Sequence, residues 1–422
     1  IKIVLSPYRL NLRNPFGTAH SLTTVRNNAL ITITVNGVFG YGECGVPPKK
    51  PLCYFADYND IVDYCQTYFE ELKLFGNVTT NIPDIASTTT TTLYDPFSKL
   101  PSHYFQSVRS ETTTTTINQS PFIYLLERLD KCSKNTKDYS FAARSCIETA
   151  ILDCWSKHLK MPLYKLVSSS VECKELPFYY TVSLCPTMEQ IIDCLEFGLK
   201  YTRYIKIKLD SDFDRGVLIV KTILELCQSI NKPITKISID ANSSWTPEIA
   251  LKYLPYLSTL TNIISMIEQP FPVETTKGNQ SIKDDPVIQQ WVHIKEEYHR
   301  HGLVIFADES VCNADDIDNL IDIAHGVNIK LEKTGGVREA LIAITKARDL
   351  GMKVWIGSMV GSSLNSNAAA HLLAILSDYG GDLDGGLLVD DQSQLFTGGF
   401  SIVEDGLVQM SNTHYGVGVV VK

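Results

Sequence analysis

The sequence predicts an α/β protein: a (β/α)8-type barrel with an α+β N-terminal capping domain. Three observations carry this expectation. Between Phe178 and Val389, short β-branched runs alternate with amphipathic stretches. Such alternation implies parallel pairing with right-handed crossovers, and roughly eight units match a closed barrel. The runs ISIDAN, IISMIEQPF and VIFADES each carry one carboxylate at their end, Asp240, Glu268 and Asp308. Before them, ALITITV and VFGYGE flank Asn36-Gly37, a strong hairpin signal.

The elements follow in order. Residues 1–139 form the expected capping domain, with strands at Ala29–Val35 and Val38–Glu43 and a helix around Asp57–Leu74. Two runs of five threonines, Thr88–Thr92 and Thr112–Thr116, place a low-complexity insertion there. Val78–Gln119 therefore reads as a solvated loop. From Ser140 the pattern turns helical until Pro162. The barrel, 140–395, is expected to use strands Phe178–Ser183, Tyr204–Leu209, Ile237–Asp240, Ile263–Glu268, Leu303–Ala307, Gly326–Leu331, Val354–Gly357 and Gly386–Val389. Amphipathic stretches such as Arg215–Ile230 and Val337–Leu350 supply helices. The polar tract Glu274–His301 reads as an insertion on the loop side. The tail, 396–422, returns to strand patterning over Phe400–Val421 and is expected to pair back onto the capping domain.

Bulk properties exclude several classes. The chain has 422 residues, 44% of them apolar, enough for a large core and more than one domain. A net charge of −9 argues against nucleic acid or an anionic membrane as the main partner. No apolar run reaches membrane-span length, and the opening IKIVLSPYRL lacks the pattern of a signal peptide. Eleven cysteines, scattered without a CxxC pair, favour reduced thiols and a cytoplasmic location. A zinc site is not expected. Homo-oligomer formation is left open.

The chemistry comes from the strand ends. In YIKIKL, Lys206 and Lys208 stand two apart and share a face, while Ile205, Ile207 and Leu209 point outward. Asp240 and Asn242 repeat the device. Helix-capping aspartates commonly follow strands, but three carboxylates in successive units, bracketed by inward lysines, are a different matter. Three oxygen donors suit a hard cation such as Mg²⁺. Such an ion stabilises the dianion left when an α-proton departs from a carboxylate substrate. The ion and the Lys206 charge are expected to lower the pKa of Lys208. Lys208 and Lys330 belong to the second and sixth strands, on opposite sides of a barrel. One can remove a proton and the other return one, which inverts the carbon between them. In GGDLDGGLLVDD, Asp382 and Asp384 share a side and suit a substrate ammonium group. Lys333, Gly335 and Gly336 look like a tight strand–helix turn. His20 reads as a lining residue, and GYGE as hairpin structure.

Taken together these residues resemble the enolase superfamily, muconate-lactonizing subgroup. The resemblance rests on the KxK of Lys206–Lys208, the DxN of Asp240–Asn242, the ExP of Glu268–Pro270, the DES of Asp308–Ser310, NIKLEKTGG, and the helix AARSCIETAILDCWSKHLKMPLYKL. It implies an enolase-like modified barrel and an isomerase holding one Mg²⁺ per subunit. It gives Lys208 and Lys330 as the acid/base pair, Asp240, Glu268 and Asp308 as metal ligands, and Asn242 as their supporting neighbour. The DLDGGLL segment is similar to the DxD motif of dipeptide epimerases, where two aspartates hold the α-ammonium of a dipeptide. Substrate contacts are then expected from Lys206, Asp382, Asp384, Ser358 and His20. Muconate cycloisomerases, o-succinylbenzoate synthases and syn-dehydratases share the lysines and are the alternative enzymes; a catalytically silent barrel that only binds is the alternative of another class. Ala-Glu epimerases carry an arginine where FGTAHSLTTV has His20 and Ser21, so an uncharged or cationic second residue is expected. GSMVGSSL has Gly361 where related epimerases often have Glu.

Overall fold

The computed structural model describes residues 1–46, 57–73, 94–113, 120–135, 140–276 and 285–422. The chain opens with three antiparallel strands in the order β1–β2–β3: β1 Lys2–Gly17, β2 Leu22–Val35 and β3 Val38–Cys44. Asn36 and Gly37 both take positive φ, 50° and 81°, and close the β2–β3 hairpin with Val35 opposite Val38. The β1–β2 register shifts between Asn11 and Phe16. The loop between these two strands contributes Thr18, His20 and Ser21 to the wall of the main cavity.

Helices α1 (Tyr58–Lys73), α2 (Gln106–Thr113), α3 (Pro121–Asn135) and α4 (Phe141–His158) follow. Ser140 caps α4 by accepting from the Ala143 amide. α4 lies directly on the backbone of β3. A Cβ on Gly40 would stand 2.1 Å from Ala150 O, and one on Gly42 1.9 Å from Cys146 O. The expected loop over Val78–Gln119 needs correction where the structure describes it. Phe97, Leu100, Tyr104, Phe105 and Val108 are buried. Phe97 stacks on Phe105 at 4.5 Å and packs with Trp155 at 6.2 Å. These aromatic residues bury enough apolar surface to order residues 94–113 in spite of the threonines around them. The run Thr88–Thr92 lies outside the described residues. Of the other run, Thr112 and Thr113 end α2.

After α5 (Leu163–Val167) and β4 (Leu176–Pro177) come β5 (Tyr179–Val182), α6 (Met188–Gly198), β6 (Tyr204–Lys208), α7 (Phe213–Ser229), β7 (Lys236–Asp240), α8 (Pro247–Ser258), β8 (Ile264–Glu268), α9 (Pro286–Arg300), β9 (Ile305–Ala307) and β10 (Gly326–Lys330). Then follow α10 (Leu331–Thr334), α11 (Val337–Asp349), β11 (Lys353–Gly357), α12 (Ser363–Leu376) and α13 (Gly385–Leu388). Among the described residues β5 to β11 form one parallel, curled, seven-stranded sheet in chain order. Tyr179, Met266, Phe306 and Trp355 pack as a buried cluster at 1% exposure or less.

Three expectations fail here. The eighth strand, Gly386–Val389, is the one-turn helix α13; the sheet instead meets an isolated parallel bridge from Phe178 to Gly381. Gly381 is forced by close approach, since a Cβ there would meet Ile356 O at 2.1 Å. The tract Glu274–His301 is largely α9, a barrel helix whose apolar side buries Ile288, Trp291, Ile294 and Tyr298. The tail strands do not join the capping sheet. β12 (Phe396–Gly398) pairs with β15 (Val419–Val421), and β13 (Ser401–Val403) pairs with β14 (Leu407–Gln409), which pairs with β4. The tail reaches the capping domain through side chains: Phe396 packs on Tyr8 and Tyr41, and the Leu395 amide donates to Tyr8 OH.

The α4–β3 contact gives a direct test. Gly42→Ala forces backbone apart and should cost about 1–3 kcal/mol. The urea midpoint should fall with the slope unchanged. A midpoint equal to the parent's would show that α4 can move off the strand.

Candidate active site

The strand alternation places Lys206, Asp240, Glu268 and Asn328 on the inside of the sheet, and all four are buried. Lys206 Nζ lies 3.1 Å from Asp240 Oδ2, 2.8 Å from Glu268 Oε1 and 2.9 Å from Asp382 Oδ2. Burial opposes the charge on Lys206, but Asp240, Asp382 and Glu268 outweigh it and hold the amine well above its usual range. Lys208 Nζ donates to Asp240 Oδ2 at 2.7 Å and Asn242 Oδ1 at 2.9 Å. Asn242 in turn donates from its backbone to Asp240 Oδ1 at 2.9 Å and from its side chain to Glu309 Oε1 at 3.1 Å.

Across the barrel, Lys330 Nζ donates to Asp308 Oδ2 at 2.7 Å. Burial again works against the cation, yet Asp308 and then Asp382 push the Lys330 pKa up. As arranged, Lys330 holds its proton. Lys333, read from the sequence only as part of a turn, reaches the same carboxylate: it donates to Asp308 Oδ1, to Asp308 O at 2.5 Å and to Asn328 O at 3.0 Å. Asp308 is held well below the usual carboxylate range: burial works in the other direction, and Lys330 and Lys333 overcome it.

Asp240, Glu268 and Asp308 are hard oxygen donors, the chemistry a divalent cation takes. Glu268 Oε2 is buried with no hydrogen-bond partner. Burial foremost, against the pull of Lys206, pushes the Glu268 carboxyl up to about 8. An orphaned oxygen on a carboxyl that resists ionisation marks a place short of positive charge, and a cation fits that deficit. Among the described residues no three acidic, histidine or cysteine side chains stand close enough to form a ready-made cage. Lys206 occupies the centre instead.

One cavity of about 350 Å³ opens on this array. Its walls bring together Lys206, Lys208, Asn242, Asp308, Lys330, Ser358, Asp382, Asp384 and His20, while Asp240 and Glu268 lie beneath. His20 Nε2 donates to Asn242 O at 2.7 Å. The two C-terminal aspartates differ. Asp382 is taken up by Lys206 and by Trp355 Nε1 at 2.7 Å. Asp384 accepts the Thr181 amide at 2.5 Å, and burial, with Asp382 adding, pushes its carboxyl up to about 6. The wall also holds residues that sequence reasoning missed: Phe16, Thr18, Arg26, Val46, Thr181, Glu309, Met359 and Leu388. FGTAHSLTTV itself holds no arginine, but Arg26, the residue after it on β2, also lines the cavity.

Glu43, taken as hairpin structure, spans the two domains. It accepts from the Ser362 amide at 3.0 Å and from Asn28 Nδ2 at 2.7 Å. A Cβ on Gly361 would stand 2.8 Å from Glu43 Oε1. That approach explains the glycine at this position.

A family model described as Enolase C-terminal domain-like matches residues 196–422. An enolase superfamily member from Dictyostelium discoideum is 51% identical over 428 aligned residues, covering 100% of this chain and 97% of that protein. An L-Ala-D/L-amino acid epimerase from Pedosphaera parvula is 30% identical, covering 67% of this chain and 73% of its own. Among solved structures, a substrate-liganded complex of the L-Ala-D/L-Glu epimerase from Bacillus subtilis superposes with a TM-score of 0.72 at 20% identity, over 100% of this chain and 98% of that one. The muconate lactonizing enzyme from Pseudomonas putida gives 0.71 at 19%, over 100% and 96%.

Lys206→Met tests the central ammonium. It removes one cation from three buried carboxylates and should cost about 3–5 kcal/mol in chelator-treated protein. Chemical denaturation measures it. A loss within experimental error would show that the carboxylates do not depend on Lys206.

Proposed function

The chain belongs to the enolase superfamily, and on that footing we propose that it is an Mg²⁺-dependent dipeptide epimerase, inverting the α-carbon of the C-terminal residue. Its relatives and structural neighbours make it an isomerase. The observation that carries the finer reading is one cavity lined by Lys208 and Lys330, from β6 and β10, and by Asp382 and Asp384. Relatives at modest identity named as L-Ala-D/L-amino acid and L-Ala-D/L-Glu epimerases support it.

In this mechanism Asp240, Glu268 and Asp308 hold the ion. When bound, it supplies Lewis-acid stabilisation for negative charge gathering on the substrate carboxylate. This chain's own residues do the rest. Asp384 accepts the dipeptide's ammonium group, and Asp382 braces Lys206 beside it. Lys208 takes the α-proton from one face; Asn242 orients its Nζ. Lys330, kept protonated beside Asp308, returns a proton to the other face. The opposite epimer reverses the two roles, as microscopic reversibility demands. Ser358 and His20 line the wall near the substrate.

Isotope exchange tests this directly. A dipeptide panel incubated in D₂O should gain one mass unit at the α-carbon, lose that ability on exhaustive chelation and regain it with Mg²⁺. Lys208→Ala and Lys330→Ala should each lower epimerisation by about 10²–10⁴-fold while one epimer still exchanges in each variant. Full turnover in verified metal-free protein sinks the metal assignment, and parent-rate epimerisation by Lys330→Ala sinks the two-base one.

Asp384 also sets a pH dependence. Its carboxyl, raised to about 6, must be ionised to attract an ammonium group. Below that pH it is neutral, so kcat/KM on a free dipeptide should fall about tenfold per unit. An N-acetylated dipeptide has no ammonium; it should react poorly and lack this limb. Equal rates and equal profiles for both substrates favour a cycloisomerase, whose substrates carry no amine.

A further inference from the structure

Behind Lys330, away from the cavity, four charged side chains close a ring. Arg144 and Glu148 come from α4, Asp130 from α3 and Arg338 from α11. Arg144 Nη2 meets Asp130 Oδ1 at 2.9 Å, and Arg338 donates to both Asp130 oxygens at 2.8 and 2.9 Å. Arg338 Nε meets Glu148 Oε2 at 3.0 Å, and Arg144 Nη1 closes the circuit on the same oxygen at 3.1 Å. Each carboxylate touches both guanidinium groups, so charge alternates and sums to zero. Arg144, Glu148 and Arg338 are at most 3% exposed. The pairs are bidentate or shared, the geometry in which buried charges hold position most firmly.

The ring grips the turn that follows Lys330. Arg144 donates to Gly335 O. Glu148 Oε1 accepts the Arg338 amide at 2.8 Å, and a Cβ on Gly336 would stand 2.8 Å from it. Gly335 and Gly336 take φ of 91° and 121°, and their amides bond Leu331 O, the carbonyl next to Lys330, at 2.9 and 3.0 Å. Thr334 Oγ1 donates to Lys330 O at 3.2 Å. The path from ring to Lys330 backbone therefore runs through one helical turn. Lys333 lies on that same turn and fixes Asp308, the partner of Lys330. Lys208 sits on β6, and its contacts are Asp240, Asn242 and the Phe16 ring.

We infer that the Asp130–Arg144–Glu148–Arg338 ring is a positioning device for Lys330, so that weakening it impairs the Lys330 proton transfer more than the Lys208 one. This rests on the epimerase reading above. The test uses Arg338→Lys, which keeps the charge and loses the fork, and Asp130→Asn, a milder change at the partly exposed corner. Lys208→Ala and Lys330→Ala first identify which epimer's α-hydrogen each lysine exchanges in D₂O. The ring variants should slow the Lys330-dependent exchange by about tenfold to a hundredfold and slow the Lys208-dependent exchange distinctly less. Equal slowing of both, or of neither, overturns the inference. If Arg338→Lys does not fold, Asp130→Asn carries the comparison. If the parent exchanges neither epimer, the epimerase reading fails, and amide exchange decides the ring separately. Faster exchange over residues 328–340 than over β6 in the variants supports the clamp, and equal protection overturns it.

Discussion

One ammonium group, Lys206 Nζ, holds the polar half of the barrel together. Asp240, Glu268 and Asp382 arrive from β7, from β8 and from the segment after α12, and all three lie within 3.1 Å of it. Three carboxylates at that spacing repel strongly in a low-dielectric interior. With Lys206 among them the same groups become an attraction that draws the ends of three segments inward. Glu268 is the least satisfied member of the group: burial pushes its carboxyl up to about 8, and its second oxygen has no hydrogen-bond partner. The structure thus meets the electrostatic problem of a multi-carboxylate pocket with a residue that leaves one acceptor open to a further cation.

The backbone supports this at a local cost. Asn242, Ser243 and Gln269 all take positive φ, 44°, 64° and 39°. Such conformations are uncommon for residues other than glycine and cost of order 1–3 kcal/mol each. They fall where the chain leaves β7 and β8, and they turn it so that polar groups stay inside. Gln269 shows the use. Its Oε1 accepts the amides of Asp308 at 2.8 Å and Ser310 at 3.2 Å, and its Nε2 donates to Ser310 Oγ at 2.8 Å. One side chain therefore splices the end of β8 to the end of β9 and sets Glu268 and Asp308 relative to each other.

What the sequence made legible has a physical pattern. Lys206 with Lys208 and Asp240 with Asn242 could be placed on one face because strand periodicity is local and strict. The barrel class followed from alternation, which is also local. The reading failed where a contact joins distant segments. Glu43 meets Ser362 at a separation of 319 residues, and the Arg338–Asp130 pair spans 208. No window of sequence contains either pair. GLLV at 386–389 was misread because a four-residue apolar run fits strand or helix equally. Residues 94–113 were misread because the threonine runs on either side dominate the composition, while Phe97 and Phe105 show no period of their own. Arg26 was missed because it stands one position past FGTAHSLTTV, and only the fold turns it toward the cavity.

The division of labour between the two domains follows from these contacts. Lys208 and Lys330, the proposed acid/base pair, end barrel strands β6 and β10. Phe16, Thr18, His20, Ser21 and Arg26, which form part of the cavity wall, come from the first two capping strands and the loop between them. Domain registry is therefore part of the site and not only a matter of stability. His20 makes the link explicit: its Nε2 meets Asn242 O, and Asn242 Oδ1 meets Lys208 Nζ. A carbonyl oxygen can only accept, so Nε2 must carry hydrogen. The capping loop therefore reaches Lys208 through a single asparagine, whose backbone oxygen takes the histidine and whose side-chain oxygen takes the lysine.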